Sequence, residues 1–280
     1  MAAVVAALLG GAGAVGAEVV FTRKLALLFG VTAPAAATVV AVYMAGMALG
    51  SAWGGRLADR LGAKVVTLYV GAELFGAAWA ASFPWLFDLA DAATLAVPLE
   101  QTLLFCGMAT GLLVGPAAIA SGATFPALTR LAGQERWIRL LYAANAGGAA
   151  LGGLVAGIWL PGALGLTGTL WLAAALMLSA GGIVAIISRI QDRAAPDAPA
   201  VRPAPTDPVG VGWALAAYAA IGGLGMGAEI GWTRLMEQTG PNPGALCFPV
   251  VLSAYLVGLA IGGTLLSEPL RALGERRALG

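Results

Sequence analysis

Histidine is absent from this 280-residue chain, and only 10% of its residues are charged. Soluble domains carry about 25% charge, so most of the chain is not built to face water. The lack of His removes the side chain that most often moves protons near neutral pH and most often binds transition metals. The two cysteines, Cys106 and Cys247, lie in separate apolar segments, which excludes a disulfide framework or a zinc site as the organising element. The net charge is +1. No basic patch is present to neutralise phosphates, so nucleic acid is excluded as a partner. No cofactor motif is present either. Hydrophobic residues make up 60% of the chain and glycine contributes 41 residues. That is the composition of a polytopic α-helical membrane protein whose first partner is the lipid bilayer.

Eight stretches are long and apolar enough to suggest spanning helices of about 20 residues each. They cover residues 3–27, 33–56, 64–87, 101–126, 138–160, 166–189, 210–236 and 245–267. The first lacks a basic leader and reads as an uncleaved helix rather than a signal peptide. Residues 190–209 are rich in Pro, Ala and charge and form the one clear linker. This predicts a six-helix first part (residues 1–189) and a second part, residues 210–280, that begins with helices 7 and 8. Arg56, Arg60 and Lys64, then Arg130, Arg136 and Arg139, then Arg189, Arg193 and Arg202, then Arg271, Arg276 and Arg277 all fall on one side. Asp88, Asp91 and Glu100 fall on the other. The positive-inside rule then puts both termini in the cytoplasm, in the inner (cytoplasmic) membrane. Arg23, Lys24 and Arg234 violate it, and such exceptions are usually paired or otherwise engaged.

One octapeptide occurs twice. Residues 16–23 read Gly-Ala-Glu-Val-Val-Phe-Thr-Arg, and residues 227–234 read Gly-Ala-Glu-Ile-Gly-Trp-Thr-Arg. Each copy places a carboxylate inside an apolar stretch, which is costly and marks a functional candidate. Glu18 and Thr22 are four residues apart and share a helix face, as do Glu229 and Thr233. Arg23 lies about 140° around the helix from Glu18, a poor intrahelical partner. Pairing across a pseudo-symmetry axis, Glu18 with Arg234 and Glu229 with Arg23, is the expectation. The acidic pair then binds a cationic solute or carries a proton; the plainer alternative is a structural ion pair closing one end. Two further polar residues sit inside apolar stretches. Glu73 is either a proton site or the partner of a loop arginine. Asn145 is a helix-bridging amide or a ligand-binding group.

The repeat extends beyond the octapeptide. Tyr43 matches Tyr255, Gly46 matches Gly258, Gly50 matches Gly262 and Gly62 matches Gly274. Glycines recur every four residues at Gly46, Gly50 and Gly54, at Gly107, Gly111 and Gly115, and at Gly148 and Gly152, then Gly153 and Gly157. Such stripes bring helices close in lipid, or let them flex. Phe125-Pro126 suggests a helix end or kink. The tryptophans lie mostly near helix ends, as interface anchors do.

A parallel repeat after six helices resembles the major facilitator superfamily. The loop Gly55-Arg56-Leu57-Ala58-Asp59-Arg60-Leu61-Gly62-Ala63-Lys64 is similar to that superfamily's signature between helices 2 and 3. The resemblance implies a cytoplasmic latch formed by Gly55, Asp59, Arg60 and Gly62, with a degraded second copy at residues 270–277. Three segments resemble a narrower group, the membrane domains of fused facilitator/spermidine synthase proteins. They are Glu18 to Leu28, Ser121-Gly122-Ala123-Thr124-Phe125-Pro126-Ala127-Leu128 and Leu141 to Gly152. In that group a soluble aminopropyltransferase domain binds decarboxylated S-adenosylmethionine and a diamine. Nothing here provides its glycine-rich strand-to-helix turn, so this chain is expected to lack that catalysis. Twelve helices would be the full complement, leaving open a fragment or an eight-helix form. The leading expectation is a facilitator-like transport module for a small cationic or amine-bearing solute. The alternatives are the membrane domain of a spermidine synthase-like protein, served by a separate soluble catalytic domain, or a structural subunit of a membrane complex.

Overall fold

The computed structural model describes residues 1–29, 33–94, 102–132, 135–191, 208–239 and 246–265. The expected linker falls almost wholly outside them, as do Glu100, Gly274 and the second latch copy. The described residues form eight helices. They are α1 (Ala2–Phe29), α2 (Ala33–Leu61), α3 (Val65–Thr94), α4 (Thr102–Ala132), α5 (Glu135–Ile158), α6 (Leu160–Gln191), α7 (Pro208–Thr239) and α8 (Cys247–Leu265). Six of them, α1 to α6, contain segments long and apolar enough to cross a membrane, and Cys247–Gly262 is a shorter apolar helix. The protein is an all-α polytopic membrane protein. Both Cys106 and Cys247 are free thiols.

Helix α1 is the axle of the bundle. It packs mainly on α5 and α6, while α2 packs on α4, and α3 on α4 and α6. Exchanging α1 with α4, α2 with α5 and α3 with α6 maps these contacts onto themselves. Three helices of alternating direction start α4 on the opposite side from α1, so the two triplets form an inverted pair. This symmetry left no mark in the sequence. The repeat that is visible there links α1–α2 to α7–α8 instead. Helix α8 rests on α5, joined by Ser253 Oγ donating to the Ala150 carbonyl at 2.9 Å, and α7 touches mainly α8.

Small residues set the approach distances, because lipid tails give apolar helices little reason to associate and close van der Waals packing must do so. The missing side chains of Gly148 and Gly152 point at the backbone of Leu8 and Ala12, and that of Gly11 points at Asn145. On the other side of the bundle, Gly46 meets Ala118, Gly50 meets the Ile119 backbone and Gly54 meets Ala123. The stripe in α4 behaves differently. Nothing lies within 4 Å of where side chains at Gly107, Gly111 or Gly115 would start. Among the described residues the packing expectation is therefore corrected for Gly107 and Gly111, whereas the Gly115 carbonyl lies 3.2 Å from where a Gly46 side chain would start.

Two prolines and two glycines explain where helices bend. The sequence suggested a terminus or kink at Pro126, yet α4 runs on to Ala132. Pro126 has no N–H for the Gly122 carbonyl, and Ser51 Oγ on α2 donates to that carbonyl instead, at 2.9 Å. Pro116 likewise leaves the Leu112 carbonyl without its helical donor, and Trp79 Nε1 on α3 donates to the adjacent Leu113 carbonyl at 2.8 Å. Trp79 is therefore a helix bridge, not an interface anchor. Between α5 and α6 the helical bonds continue past Trp159, with Trp159 N donating to Val155 O and Ala163 N to Trp159 O. The true break is Gly165, at φ 71° and ψ 173°, a region essentially restricted to glycine. Gly62 ends α2 at φ 54° and opens a single tight turn, Gly62–Lys64, into α3.

The latch residues fall at this turn. Asp59 pairs with Arg130 of α4 at 3.6 Å, on an exposed surface where such a pair contributes only about 0–1 kcal/mol. Gly55 lies against Pro126, and Arg60 is exposed.

The packing contrast gives a test. Gly50→Leu should destabilise the detergent-solubilised protein by about 1–3 kcal/mol or more, because the new side chain meets backbone. Gly111→Leu should be close to neutral, because it enters open space. Equal thermal shifts for the two variants would refute this account of the α2–α4 contact.

Candidate functional site

Each copy of the repeated motif buries its carboxyl. Glu18 is 2% exposed and Glu229 4% exposed. Glu18 sits beyond the middle of α1, on the face that also buries Ala17, Val20 and Phe21. Phe21 stacks on Phe83 of α3 with ring centres 4.2 Å apart, which fixes the rotation of α1 at this level. Glu229 reaches the same site from α7, close enough for the two carboxyls to interact electrostatically. Glu229 Oε1 is buried with no hydrogen-bond partner.

The expected cross-pairs do not form. Arg234 pairs with Glu237 in its own helix at 2.7 Å. Arg23 donates to the Gly157 carbonyl at the end of α5. The reason is geometric: each arginine follows its glutamate by five residues, so it projects from another side of the helix and toward its end. Lys24 lies over the Phe87 ring, 4.7 Å from its centre. All three cations that break the charge rule have partners toward the ends of their helices.

The threonines divide. Thr22 Oγ1 donates to the Glu18 backbone carbonyl at 2.9 Å, which occupies its proton within the helix. Thr233 is 9% exposed, and its Oγ1 has no partner. Glu73 and Asn145 are elsewhere. Gly10, eight residues before Glu18, faces Glu73, which puts Glu73 about 12 Å away along the α1 axis. Glu73 is 2% exposed and hydrogen-bonded to Tyr69. It does not pair with a loop arginine, because its position on α3 turns it into the bundle. Asn145 packs on Gly11 at the α1–α5 contact, where a side chain would meet its Oδ1 at 3.0 Å.

Tyr43 is the site residue the motif search missed. It is 3% exposed, interacts electrostatically with Glu18 and is hydrogen-bonded to Ser121 of α4. The signal was present in the repeat, where Tyr43 matches Tyr255. Tyr255 of α8 places its hydroxyl against Gly225, one helical turn before Glu229. Tyr43 thus lies beside Glu18, while its counterpart Tyr255 lies one turn from Glu229 and is far more exposed, so the duplicated sequence is duplicated only in part in geometry.

Chemically, the site is two carboxyls and a phenol inside an apolar bundle. Two like charges in a low-dielectric medium repel strongly, and each ion left unpaired costs several kcal/mol. The site suits a bound cation or a proton shared between its carboxyls. Neither of two sizeable cavities reaches it. One, of about 240 Å³, lies where α1 begins and α6 ends. The other, of about 630 Å³, is apolar and lies between α2, α3 and α4.

A double-mutant cycle separates this arrangement from an ion-pair lock. Glu18→Gln and Arg234→Ala should be additive in stability within about 0.5 kcal/mol, and Glu229→Gln should not destabilise. A coupling above about 1 kcal/mol between Glu18 and Arg234 would restore the cross-pair. Comparison with protein-family models, curated proteins and solved structures finds no match to this chain.

Proposed function

We propose that this protein is a facilitator-like transport module for a small cationic or amine-bearing solute, held between Glu18 and Glu229. The observation that carries the reading is the burial of two facing carboxyls whose nearest arginines are engaged elsewhere. A diamine or polyamine brings positive charge to two buried carboxyls, and its methylene stem suits the apolar surroundings. Tyr43 adds a hydrogen-bonding group at the rim. Both carboxyls are shut away from solvent, so passage requires the helices around α1 and α7 to part. The inverted triplets and the repeat of α1–α2 as α7–α8 are the architecture in which such rocking occurs around a central site. On the distribution of Arg and Lys, the membrane is the inner (cytoplasmic) one, with both termini in the cytoplasm.

A second reading is a membrane domain serving a soluble aminopropyltransferase-like partner. It draws on the segment Ser121 to Pro126, whose Ser121 is hydrogen-bonded to Tyr43 beside Glu18. Both readings bring an amine to the same carboxyls and differ in whether it crosses.

Reconstituted vesicles decide between them. Putrescine or spermidine uptake should be present, and Glu18→Gln or Glu229→Gln should reduce it by at least about 100-fold, as loss of a buried charge contact does. Uptake unchanged in both variants would sink the transport reading. Amine binding without uptake would favour the second.

A further inference from the structure

A second buried carboxyl system lies in α3, away from the Glu18–Glu229 pair. Tyr69 and Glu73 are four residues apart on one face of α3, the Tyr69 hydroxyl and Glu73 Oε1 both face Gly10 of α1, and Glu73 Oε2 is buried with no partner. Tyr69 is itself fully buried, and its hydroxyl lies 3.5 Å from the Ala6 carbonyl of α1. The phenol thus has one proton to give, and the Glu73 carboxyl beside it is a second acceptor within its neighbourhood. The carboxyl fits because glycine occupies both facing helices. A side chain at Gly10 of α1 would meet Glu73 Oε1 at 2.5 Å, and one at Gly181 of α6 would meet Glu73 Cβ at 3.2 Å. Tyr69 from α3, Gly10 from α1 and Gly181 from α6 face Glu73, and none of these three carries a formal charge.

The cavity of about 240 Å³ comes within a helical turn of Tyr69 along α3. Its lining includes Val66, three residues before Tyr69, and Val184, three residues after Gly181. Val4 and Ser188 bring it to the end of the bundle where α1 begins and α6 ends.

We propose that Glu73 is a proton-binding site loaded from this cavity through the Tyr69 hydroxyl. The Tyr69 proton passes to the Glu73 carboxylate while the phenolic oxygen takes a proton from a hydronium ion in the cavity, which is left as water. The net change is one proton added to Glu73; no bond between heavy atoms forms or breaks. The site is separate from the solute site, and it stands or falls independently of what Glu18 and Glu229 bind.

Infrared spectroscopy of the full chain in phosphatidylcholine vesicles tests this. Subtracting spectra of Glu73→Gln from those of the parent should isolate a carboxyl C=O band that disappears as pH rises. That band should persist in Glu18→Gln and in Glu229→Gln. Moving from H₂O to D₂O should shift it, and Tyr69→Phe or the cavity-filling Val66→Trp should slow that exchange about tenfold or more. A Glu73 signal that is constant across the pH range in which the fold survives would overturn the proposal. Exchange as fast in both Tyr69→Phe and Val66→Trp as in the parent would overturn the route.

Discussion

Everything in this fold hangs on how closely the backbone of α1 can be approached. In water, apolar faces would draw helices together; in lipid that force is largely missing. What remains is contact between atoms, and contact needs small residues. The turns of α1 from Leu8 to Gly16 are met by Gly148, Gly152 and Ala156 of α5 and by Ala173 and Met177 of α6. That tight seam holds α1 at the centre and fixes which of its faces Glu18 looks out from. Phe21 against Phe83 then sets the same rotation from the α3 side.

The polar groups follow from that seam. A carboxyl on a central helix cannot snorkel to either surface, as Lys24 and Arg234 do near the ends of theirs. Glu18 is therefore committed to whatever the bundle offers it, and the bundle offers Tyr43 and Glu229. Glu73 is held the same way one level along the axis, between glycines on α1 and α6. The two carboxyl systems share α1 as a wall yet differ in kind. One is assembled from both copies of the repeat and can change when α7 moves. The other is enclosed within the six-helix bundle.

Much of this was legible in the sequence. Apolar length placed all eight helices, although only α1 to α6 are long and apolar enough to cross a membrane, and the duplicated Gly-Ala-Glu motif pointed to two buried carboxyls that interact electrostatically. The glycine spacing at Gly46, Gly50 and Gly54 correctly marked a close contact. Three things were not legible. Spacing could not say which stripe faces a helix, so Gly107, Gly111 and Gly115 read the same as Gly46, Gly50 and Gly54. The register of Arg23 and Arg234 depended on where each helix ends and what lies beside that end, which one-dimensional spacing does not contain. The inverted relation of α1–α3 to α4–α6 rests on contact pattern alone. Proline misled for a related reason: Pro126 breaks a helix only when its orphaned carbonyl finds no donor, and Ser51 is 75 positions earlier in the chain.

The position of Glu229 has a consequence for how the protein is made. Helices enter the membrane in the order they leave the ribosome, and a charged side chain at a helix centre adds roughly 3 kcal/mol to the cost of insertion. Among the described residues α7 packs mainly on α8, so α7 alone does not account for the burial of Glu229. The first copy of the motif must therefore wait in the bilayer for the second, and the carboxyl pair is completed only when synthesis has passed through six helices and the linker between them. Assembly of the site is thus a late event in synthesis, because its second carboxyl is made only after α1 to α6.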